Sequence, residues 1–299
     1  MARAALAIAL LAAAAGAGAA PAALDQAAFY PEGPTVFQGA LYWAEMPMHR
    51  IRRLKDGKAQ TVWERPGCGP TSIKPDGRGG FWILCHLAHQ VLRVDGDFGA
   101  IRKLFEDDGA GHNLAYPNDA STDSRGQLYL SSAGVFDLRA PAEGAVFFID
   151  TSDRVRRIAA GLRYANGVRL DEKRGKLYVS EHLNRRVLVA DVAGPGEIGP
   201  LRQFFALDVP PLARPKYPLA GPDGLLVDPA GSGALYIAEY GAGRVLVVSP
   251  EGHLRRVIPV PMQFVTNFVY WPQRDLIAVT GSFVNDTAPM PGRVIALPR

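Results

Sequence analysis

Six polar residues recur at the start of six similar segments of the chain, and together they have the chemistry of a binding site. They are Glu32, Thr71, Asn118, Asn166, Asp223 and Asn267, and all but Thr71 carry carboxylate or amide oxygens. No Lys or Arg stands at these positions, and a buried carboxylate is costly unless it is paired or bound to a metal. Oxygen ligands with two formal negative charges suit a hard divalent cation such as Ca²⁺, Mg²⁺ or Mn²⁺. Asn and Asp also bond backbone groups at turns, so spacing alone leaves both interpretations open.

The segments that follow these residues read as repeated β-structure. Each has a turn and then a hydrophobic run around one anchor residue, and the anchors are Tyr42, Trp82, Tyr129, Tyr178, Tyr236 and, in a degenerate sixth copy, Ile277. The anchors are spaced by 40, 47, 49, 58 and 41 residues, which is typical of a propeller or another repeat array. Around each anchor the pattern has period two, and a second predicted strand follows: Arg50–Leu54, Gln90–Val94, Gly144–Ile149, Arg186–Ala190, Gly243–Val248 and Gly292–Leu297.

Further runs such as Ile101–Phe105 and Val155–Ala159 bring each unit to four strands. The sequence therefore predicts an all-β fold, a six-bladed β-propeller with four-stranded antiparallel blades. The sixth unit has only three strands, so we expect Ala22–Tyr30 to pair beside Arg293–Leu297 and close the ring. Since no repeat can bury its faces alone, residues 20–299 are expected to fold as a single domain. In such a ring the six polar residues converge on the central channel.

The first residues do not fit the repeat. A basic start at Arg3, an apolar run from Ala4 to Ala15 and a small-residue site at Ala17-Gly-Ala19 predict an export signal over residues 1–19. The run is too short to span a bilayer. The alternative is an alanine-rich first helix of the fold, which a propeller gives nowhere to pack. We expect a periplasmic or secreted protein with no membrane segment after signal cleavage.

The charge distribution argues against nucleic-acid binding. The formal net charge is +4 and the pI is near 9.1, but the basic residues are scattered along the outer strands, as in Arg102-Lys103 and Arg255-Arg256. That distribution is typical of solvated strand edges protected from pairing with other chains. We expect a monomer that acts on a small molecule.

The two cysteines, Cys68 and Cys85, suggest a disulfide in an exported protein. If the turn at residues 75–79 joins two antiparallel strands, residues whose numbers add to 153 face each other. The numbers of Cys68 and Cys85 add to 153. Directly opposed strand residues lie close enough for a disulfide. Two unpaired core thiols remain the alternative.

Four short motifs resemble those of the gluconolactonase / senescence-marker-protein-30 / luciferin-regenerating family. They stand in the family's order, within a similarity that runs from about residue 29 to 297: Pro31-Glu-Gly-Pro34, Tyr116-Pro-Asn-Asp119, Tyr164-Ala-Asn-Gly167 and Gly221-Pro-Asp-Gly224. The resemblance implies a six-bladed propeller with one divalent cation in the channel, Ca²⁺ being expected first and Mg²⁺, Mn²⁺, Zn²⁺ or Fe²⁺ as alternatives. By the family pattern Glu32, Asn166 and Asp223 would be the protein ligands.

The implied reaction is hydrolysis of a lactone. The cation would act as Lewis acid on the ring carbonyl, and Asp223 would double as the general base. Asn118 would reach the cation or the substrate, and Thr71, Tyr116 and Asn267 are also expected to face the substrate. His86 and His182 are expected to be polar residues at the rim of the channel.

Departures from the family pattern bear on the substrate. Tyr116 stands where many sugar-lactone hydrolases of the family carry a basic residue that holds sugar hydroxyls. With Tyr116, four other aromatic residues would make the mouth less polar and favour a less polar lactone or ester: Trp43, Phe136, Trp271 and Phe283. The Pro-rich stretch Asp208–Pro218 directly before Asp223 is either a lid or a rigid surface crossover.

Two other functions remain open at the level of sequence. Related propellers act as metal-assisted lyases or as cyclases without a cofactor, and an exported ligand-binding propeller would keep the cation only as a structural plug. Acid release, an unsaturated product without water uptake, and no turnover distinguish hydrolase, lyase and binding protein.

Overall fold

The computed structural model describes residues 22–298, which form an all-β structure. This range contains twenty-five strands and three single-turn 3-10 helices at Met46–Met48, Glu172–Arg174 and Pro272–Arg274. None of its helices is long and apolar enough to cross a membrane. The expected export signal, residues 1–19, lies outside the described residues.

After β1 (Ala22–Phe29) come three four-stranded antiparallel sheets, each in simple chain order. The first contains β2 (Pro31–Phe37), β3 (Ala40–Glu45), β4 (Arg50–Lys55) and β5 (Lys58–Glu64). The second contains β6 (Pro70–Pro75), β7 (Phe81–Cys85), β8 (Gln90–Val94) and β9 (Ile101–Phe105). The third contains β10 (Pro117–Thr122), β11 (Leu128–Ser132), β12 (Gly144–Ile149) and β13 (Val155–Leu162).

The remaining strands form a five-stranded and an eight-stranded sheet. The five-stranded sheet contains β14 (Ala165–Asp171), β15 (Lys176–Glu181), β16 (Arg186–Gly194) and β18 (Arg202–Ala206), with the short β17 (Glu197–Ile198) on the far end of β16. The eight-stranded sheet contains β1 and β19 (Gly221–Val227), β20 (Leu235–Tyr240), β21 (Arg244–Val248), β22 (Leu254–Pro259), β23 (Phe264–Trp271), β24 (Leu276–Ser282) and β25 (Pro291–Pro298). A single pairing, Tyr240 with Phe264, joins its two four-stranded halves.

Local sequence explains the tight hairpins. The loops Gln38-Gly39 and Asp56-Gly57 each connect two strands through two residues, and both residues of each loop have positive φ. Two such residues define the mirror-image turn whose twist matches that of paired strands, and glycine adopts it without steric cost. The alternating strands and these turns produce the meander within each sheet.

The segments at the two ends of the described range pair with each other, as the sequence predicts. Strand β1 lies antiparallel to β25, from Ala22 opposite Ala296 to Phe29 opposite Pro291. The first strand of the range thus becomes the outermost strand of the last sheet.

The innermost strands of successive sheets lie side by side. Strand β2 contacts β6, and the series continues through β10, β14, β19 and β23, which contacts β2 again. Apolar clusters fill the space between adjacent sheets; one joins Tyr42 and Ile51 to Ile73 and Phe81. Four-stranded antiparallel sheets packed face to face in this way are consistent with a β-propeller.

A disulfide joins Cys68 and Cys85, with Cα atoms 4.5 Å apart. The pairing is as predicted, but the strand register used to derive it was wrong. Strands β6 and β7 pair Ile73 with Ile83, so opposed residue numbers add to 156 from Ser72 onward. The register shifts by one between Pro70 and Ser72, and Cys85 lies opposite Pro70. Cys68 precedes β6 and reaches Cys85 because its carbonyl accepts from the Leu87 amide at 3.1 Å. The chain before β6 therefore runs beside the turn that follows β7.

Candidate functional site

Irregular pairing on the innermost strands positions the candidate residues. In β2, β10, β14 and β19 the antiparallel register shifts near the start of the strand and leaves two residues unpaired. The skipped pairs are Gly33-Pro34, Asn118-Asp119, Asn166-Gly167 and Asp223-Gly224. A bulge of this kind bends a strand and re-aims its side chains. The four short motifs noted in the sequence therefore coincide with β-bulges in the structure.

One glycine in these motifs is required by the close approach of neighbouring strands. A Cβ at Gly167 would lie 2.1 Å from the carbonyl oxygen of Asp223, far inside van der Waals contact. Strands β14 and β19 touch at this point, which brings Asn166 and Asp223 together.

Five of the six predicted residues line one cavity of about 270 Å³: Glu32, Thr71, Asn118, Asn166 and Asp223. All five are buried, and Asp223 exposes only 2% of its surface. The predicted convergence of residues distant in sequence is thus observed for these five.

The sixth residue, Asn267, does not line this cavity. In β23 a single residue, Thr266, is left unpaired, and its hydroxyl donates to the Pro31 carbonyl at 2.7 Å. Thr71 makes the equivalent bond to the Pro117 carbonyl at 3.1 Å, so Thr266 is the counterpart of Thr71. The side chain of Asn267 instead accepts from the Phe268 amide. The prediction for the sixth repeat was therefore displaced by one residue.

Glu32 and Asp223 are two buried carboxylates without a basic side chain in contact. Burial, followed by the charge of Asp119, raises the pKa of Glu32. Burial, followed by the charge of Glu32, raises the pKa of Asp223. Glu32 accepts a hydrogen bond from the Gly33 amide at 3.2 Å. The two negative charges destabilise each other, and a cation between them would relieve both.

Two acceptor atoms at the same place have no hydrogen-bond partner in the described range, Asn166 Oδ1 and Asp223 Oδ1. Buried acceptors are rarely left unpaired, and a bound ion or water is one explanation for such a case. Together with the Glu32 carboxylate they form an oxygen donor set that fits a hard divalent cation. No group of three or more His, Cys, Asp and Glu side chains in residues 22–298 is arranged to hold a metal, so the candidate set depends on the amide of Asn166.

His182 fixes the orientation of that amide. Its Nε2 donates to the Leu219 carbonyl at 2.8 Å, because a carbonyl can only accept. The Nδ1 atom is then an acceptor, and Asn166 Nδ2 donates to it at 3.1 Å. This arrangement leaves Asn166 Oδ1 free to bind a cation. Burial lowers the pKa of His182 to about 4, which keeps the ring neutral near pH 7.

His182 was predicted to be a polar residue at the rim, and the structure places it in the interior with 1% of its surface exposed. His86 also lines the cavity, and its Nδ1 lies 3.1 Å from the Pro117 carbonyl. The sequence gives no signal for the contact between His182 and Leu219, because Leu219 lies in a loop 37 residues further along the chain.

Aromatic side chains form the walls of the cavity: Tyr30, Phe136, Tyr164, Tyr217 and Tyr240. Only Phe136 among them was predicted from the sequence. The Tyr30 hydroxyl donates to that of Tyr240 at 3.0 Å, and Asn285 Nδ2 donates to the hydroxyls of Tyr217 at 2.7 Å and Tyr240 at 3.0 Å. A hydrogen-bonded belt thus holds the rings in place.

The other predicted aromatic residues lie elsewhere. Trp43 and Trp271 are buried in the core between sheets. Tyr116 packs its ring against His86 and His89 rather than against the cavity. Phe283 packs at the edge of another core cluster, under the Arg293 guanidinium. Residues that follow the repeat pattern are thus core, whereas those lining the cavity come mainly from the ends of strands and from loops.

The stretch from Asp208 to Pro218 contributes Tyr217 to the cavity and is tied to the sheet. Arg185 donates to Asp208 at 2.8 Å, at the start of the stretch, and to the Ala220 carbonyl at 2.6 Å, just beyond its end. Arg244 donates to the Ala213 carbonyl at 2.9 Å in its middle.

A second cavity of about 370 Å³ is lined by residues further along the same inner strands, among them Asp119 and Asn267. Lys74 lies there, donating to the Gly33 and Pro34 carbonyls at 3.3 and 3.1 Å, with Asp119 3.7 Å away. Because this lysine already neutralises Asp119, the smaller cavity with its unpaired oxygens is the better candidate for a cation.

Comparison with known proteins gives the same family that the motifs resemble. The profile of the "SMP-30/Gluconolactonase/LRE-like region" matches residues 30–281. The 6-deoxy-6-sulfogluconolactonase of Pseudomonas putida is 27% identical over 238 residues, covering 78% of this chain and 75% of that protein. The L-arabinolactonase of Azospirillum brasilense is 26% identical over 227 residues, covering 74% and 70%.

Solved structures show the same fold at lower sequence identity. A gluconolactonase from Xanthomonas campestris superposes with a TM-score of 0.73 at 21% identity, covering 92% of this chain and 89% of that one. Regucalcin from Agrobacterium tumefaciens, described as a calcium-binding protein, gives a TM-score of 0.72 at 16% identity, covering 94% and 95%.

Proposed function

The chain belongs to the SMP-30/gluconolactonase/LRE-like family, and from this premise we propose that it is a divalent-metal-dependent hydrolase that opens a lactone ring. It is an enzyme of the lactonase type, as are the relatives from Pseudomonas putida and Azospirillum brasilense. The observation that carries the proposed mechanism is the pair of unpartnered buried acceptors, Asn166 Oδ1 and Asp223 Oδ1, beside the Glu32 carboxylate.

Glu32, Asn166 and Asp223 would hold the cation. A divalent cation supplies Lewis-acid polarisation of the lactone carbonyl and lowers the pKa of a nearby water. Ca²⁺ is the first choice because all three ligands are oxygens, with Mg²⁺, Mn²⁺, Zn²⁺ and Fe²⁺ as alternatives. The calcium-binding description of regucalcin, a protein of the same fold, supports this choice.

In the proposed mechanism Asp223 acts as the general base. Its carboxylate accepts a proton as water attacks the lactone carbonyl carbon. The new carbon–oxygen bond forms as the ring carbon–oxygen bond breaks, and Asp223 returns the proton to the ring oxygen, which leaves as a hydroxyl. Asn118 is proposed to hold the cation or the substrate, and the buried Thr71 lies beside it in the cavity. No covalent nucleophile is required.

We further propose that six four-stranded blades close into one ring over residues 20–299. The series of contacts from β2 through β23 and back to β2, and the pairing of β1 with β25, support closure. The working unit is proposed to be a monomer.

Export to the periplasm or the exterior is proposed from the leader features of residues 1–19. Mass spectrometry of protein from its native host should then find an N-terminus near Ala20. An intact Met1 in soluble cytoplasmic material would overturn the export proposal.

The function is tested by stripping the protein of metal, reloading it with single cations and assaying a panel of lactones for acid release. We expect no turnover without metal and turnover with at least one cation. An unsaturated product without water uptake would assign a lyase instead. Undiminished hydrolysis by fully stripped protein would refute the metal mechanism.

A further inference from the structure

The second cavity, of about 370 Å³, is built by the same ring of inner strands as the candidate active site, but further along them. All six inner strands contribute to its wall, each through at least one residue: Thr35, Lys74, Asp119, Arg169, Leu225 and Asn267. The two cavities share no lining residue within the described range. A ligand in the second cavity would therefore contact its own set of side chains.

The Arg169 guanidinium on the wall of the second cavity lacks a counter-charge. Its Nε is enclosed and has no hydrogen-bond partner in the described range. Two carboxylates act on its charge, Asp119 and then Asp171, but each is already engaged by another base. Lys74 lies 3.7 Å from Asp119, and Arg174 Nη1 donates to Asp171 at 3.2 Å. The positive charge of Arg169 is thus left over.

The other charged groups of the second cavity do not compensate for this charge. Glu172 is exposed, and it accepts from the amide and the hydroxyl of Ser124 at 3.0 and 2.7 Å. Burial lowers the pKa of Arg169. Burial also lowers the pKa of Lys74; Asp119 opposes this effect and the charge of Arg169 adds to it. Two positive charges beside one buried carboxylate leave an excess that a bound anion would relieve.

Two neutral donors line the same cavity. The side-chain oxygen of Asn267 accepts from the Phe268 amide at 2.8 Å, which leaves Nδ2 to donate. Ser121 Oγ accepts from the Leu170 amide at 3.2 Å and keeps its own proton to donate. A guanidinium presents planar pairs of N–H groups that match the oxygens of a carboxylate or of a tetrahedral oxyanion. The second cavity therefore offers one charged and two neutral donors to an anion.

We propose that the second cavity is a binding site for a small oxyanion, either a carboxylate or a tetrahedral anion such as sulfate or phosphate, held by the Arg169 guanidinium with Asn267 Nδ2 and the Ser121 hydroxyl as further donors. The site lies apart from the candidate active site, so its test does not depend on lactone hydrolysis.

The test is calorimetric titration of metal-loaded protein with sulfate and with acetate, at an ionic strength held constant with chloride. We expect both anions to bind wild-type protein, and the tighter of the two shows whether the site takes a tetrahedral anion or a carboxylate. Arg169→Gln should weaken binding of the tighter anion by at least about tenfold, the usual loss for hydrogen bonds to a charged group. Arg157→Gln removes a positive charge from the exposed face of β13 and should leave the affinity within roughly threefold of wild type.

Three results would overturn the anion site. The first is that wild-type protein binds neither anion in the millimolar range. The second is equal affinity in wild type and Arg169→Gln, as expected of an anion bound instead to a cation at Glu32, Asn166 and Asp223. The third concerns folding: Arg169→Gln removes a charge without a partner, so in chloride buffer it should unfold at no lower urea concentration than wild type. Unfolding at a clearly lower urea concentration would show that the protein itself compensates the charge of Arg169.

Discussion

At the scale of single residues, the candidate site depends on one hydrogen-bond chain. The Leu219 carbonyl sets the position of the proton on His182, His182 accepts from the Asn166 amide, and the amide thereby presents its oxygen to the site. Partners that orient metal ligands in this way are typically as important as the ligands themselves. His182 is thus a positioning residue rather than a catalytic one.

Replacing His182 by Phe removes the acceptor for Asn166 and lets the amide rotate. We expect the affinity for the cation to fall by roughly 10–100-fold, as measured by calorimetric titration of metal-stripped protein. Saturating cation should restore most of the turnover. His86→Phe makes the same chemical change at a ring bonded to the Pro117 carbonyl instead. This control should leave the cation affinity within roughly threefold of wild type. Unchanged affinity in His182→Phe would show that the ring does not orient Asn166.

At the scale of elements, the site depends on strand β1 as well as on the inner strands. Strand β1 covers the outer edge of β25, and Tyr30, which directly follows it, lines the cavity. An uncovered β25 would present a row of unpaired backbone groups, which invites aggregation.

A chain that begins at Tyr30 and so lacks β1 should therefore lose stability and tend to aggregate. A chain that begins at Ala22 keeps the pairing of Ala22 with Ala296 and should unfold as a single cooperative transition. Thermal unfolding followed by circular dichroism, with light scattering, compares the two. If the chain lacking β1 unfolds as cooperatively and at the same temperature, the terminal pairing contributes nothing to the fold.

The elements also show what the sequence allows one to predict. The period-two pattern and the anchors Tyr42 and Tyr178 predict the strands, because both depend on local side-chain alternation. A bulge adds unpaired residues without changing the hydrophobic pattern, so the shorter bulge at Thr266 made Asn267 look equivalent to Asn166. Tyr217 and Asn285 reach the cavity from loops, and no repeat spacing predicts that contact.

At the scale of the whole molecule, the buried ionisable groups of the site make stability depend on pH. Burial lowers the pKa of His182 from 6.5 to about 4 in the folded protein. A folded pKa below the unfolded value means that the unfolded chain binds the proton more tightly. The contribution of His182 to stability is therefore fully present above pH 6.5 and is lost as the pH falls from 6.5 toward 4.

We expect wild-type protein, over that range, to lose on the order of 3 kcal/mol more unfolding free energy than His182→Phe. Urea unfolding of both metal-free proteins at several pH values between 7 and 4 measures the difference. Both proteins contain the carboxylates of Glu32 and Asp223. The opposite pH dependence that these carboxylates give to the unfolding free energy therefore largely cancels when the two proteins are compared. Parallel pH profiles would show that His182 titrates normally in the folded state.

The proposed mechanism requires Asp223 to move the proton during lactone opening at a cation site. Asp223→Asn keeps the size and one oxygen ligand but removes the proton acceptor. Asp171→Asn makes the same change at a second buried carboxylate, which contacts Arg174 and does not line the cavity. The comparison uses each protein's own lactone turnover, with metal content measured in the same samples.

With equal metal occupancy, Asp223→Asn should lower kcat by roughly 10²–10⁴, the usual contribution of a general base, while Asp171→Asn stays within about tenfold of wild type. A Glu32→Gln or Asn166→Ala protein should instead recover part of its rate in excess cation. If Asp223→Asn with a full metal site hydrolyses its lactone at near the wild-type rate, Asp223 is not the base and the proposed mechanism is wrong.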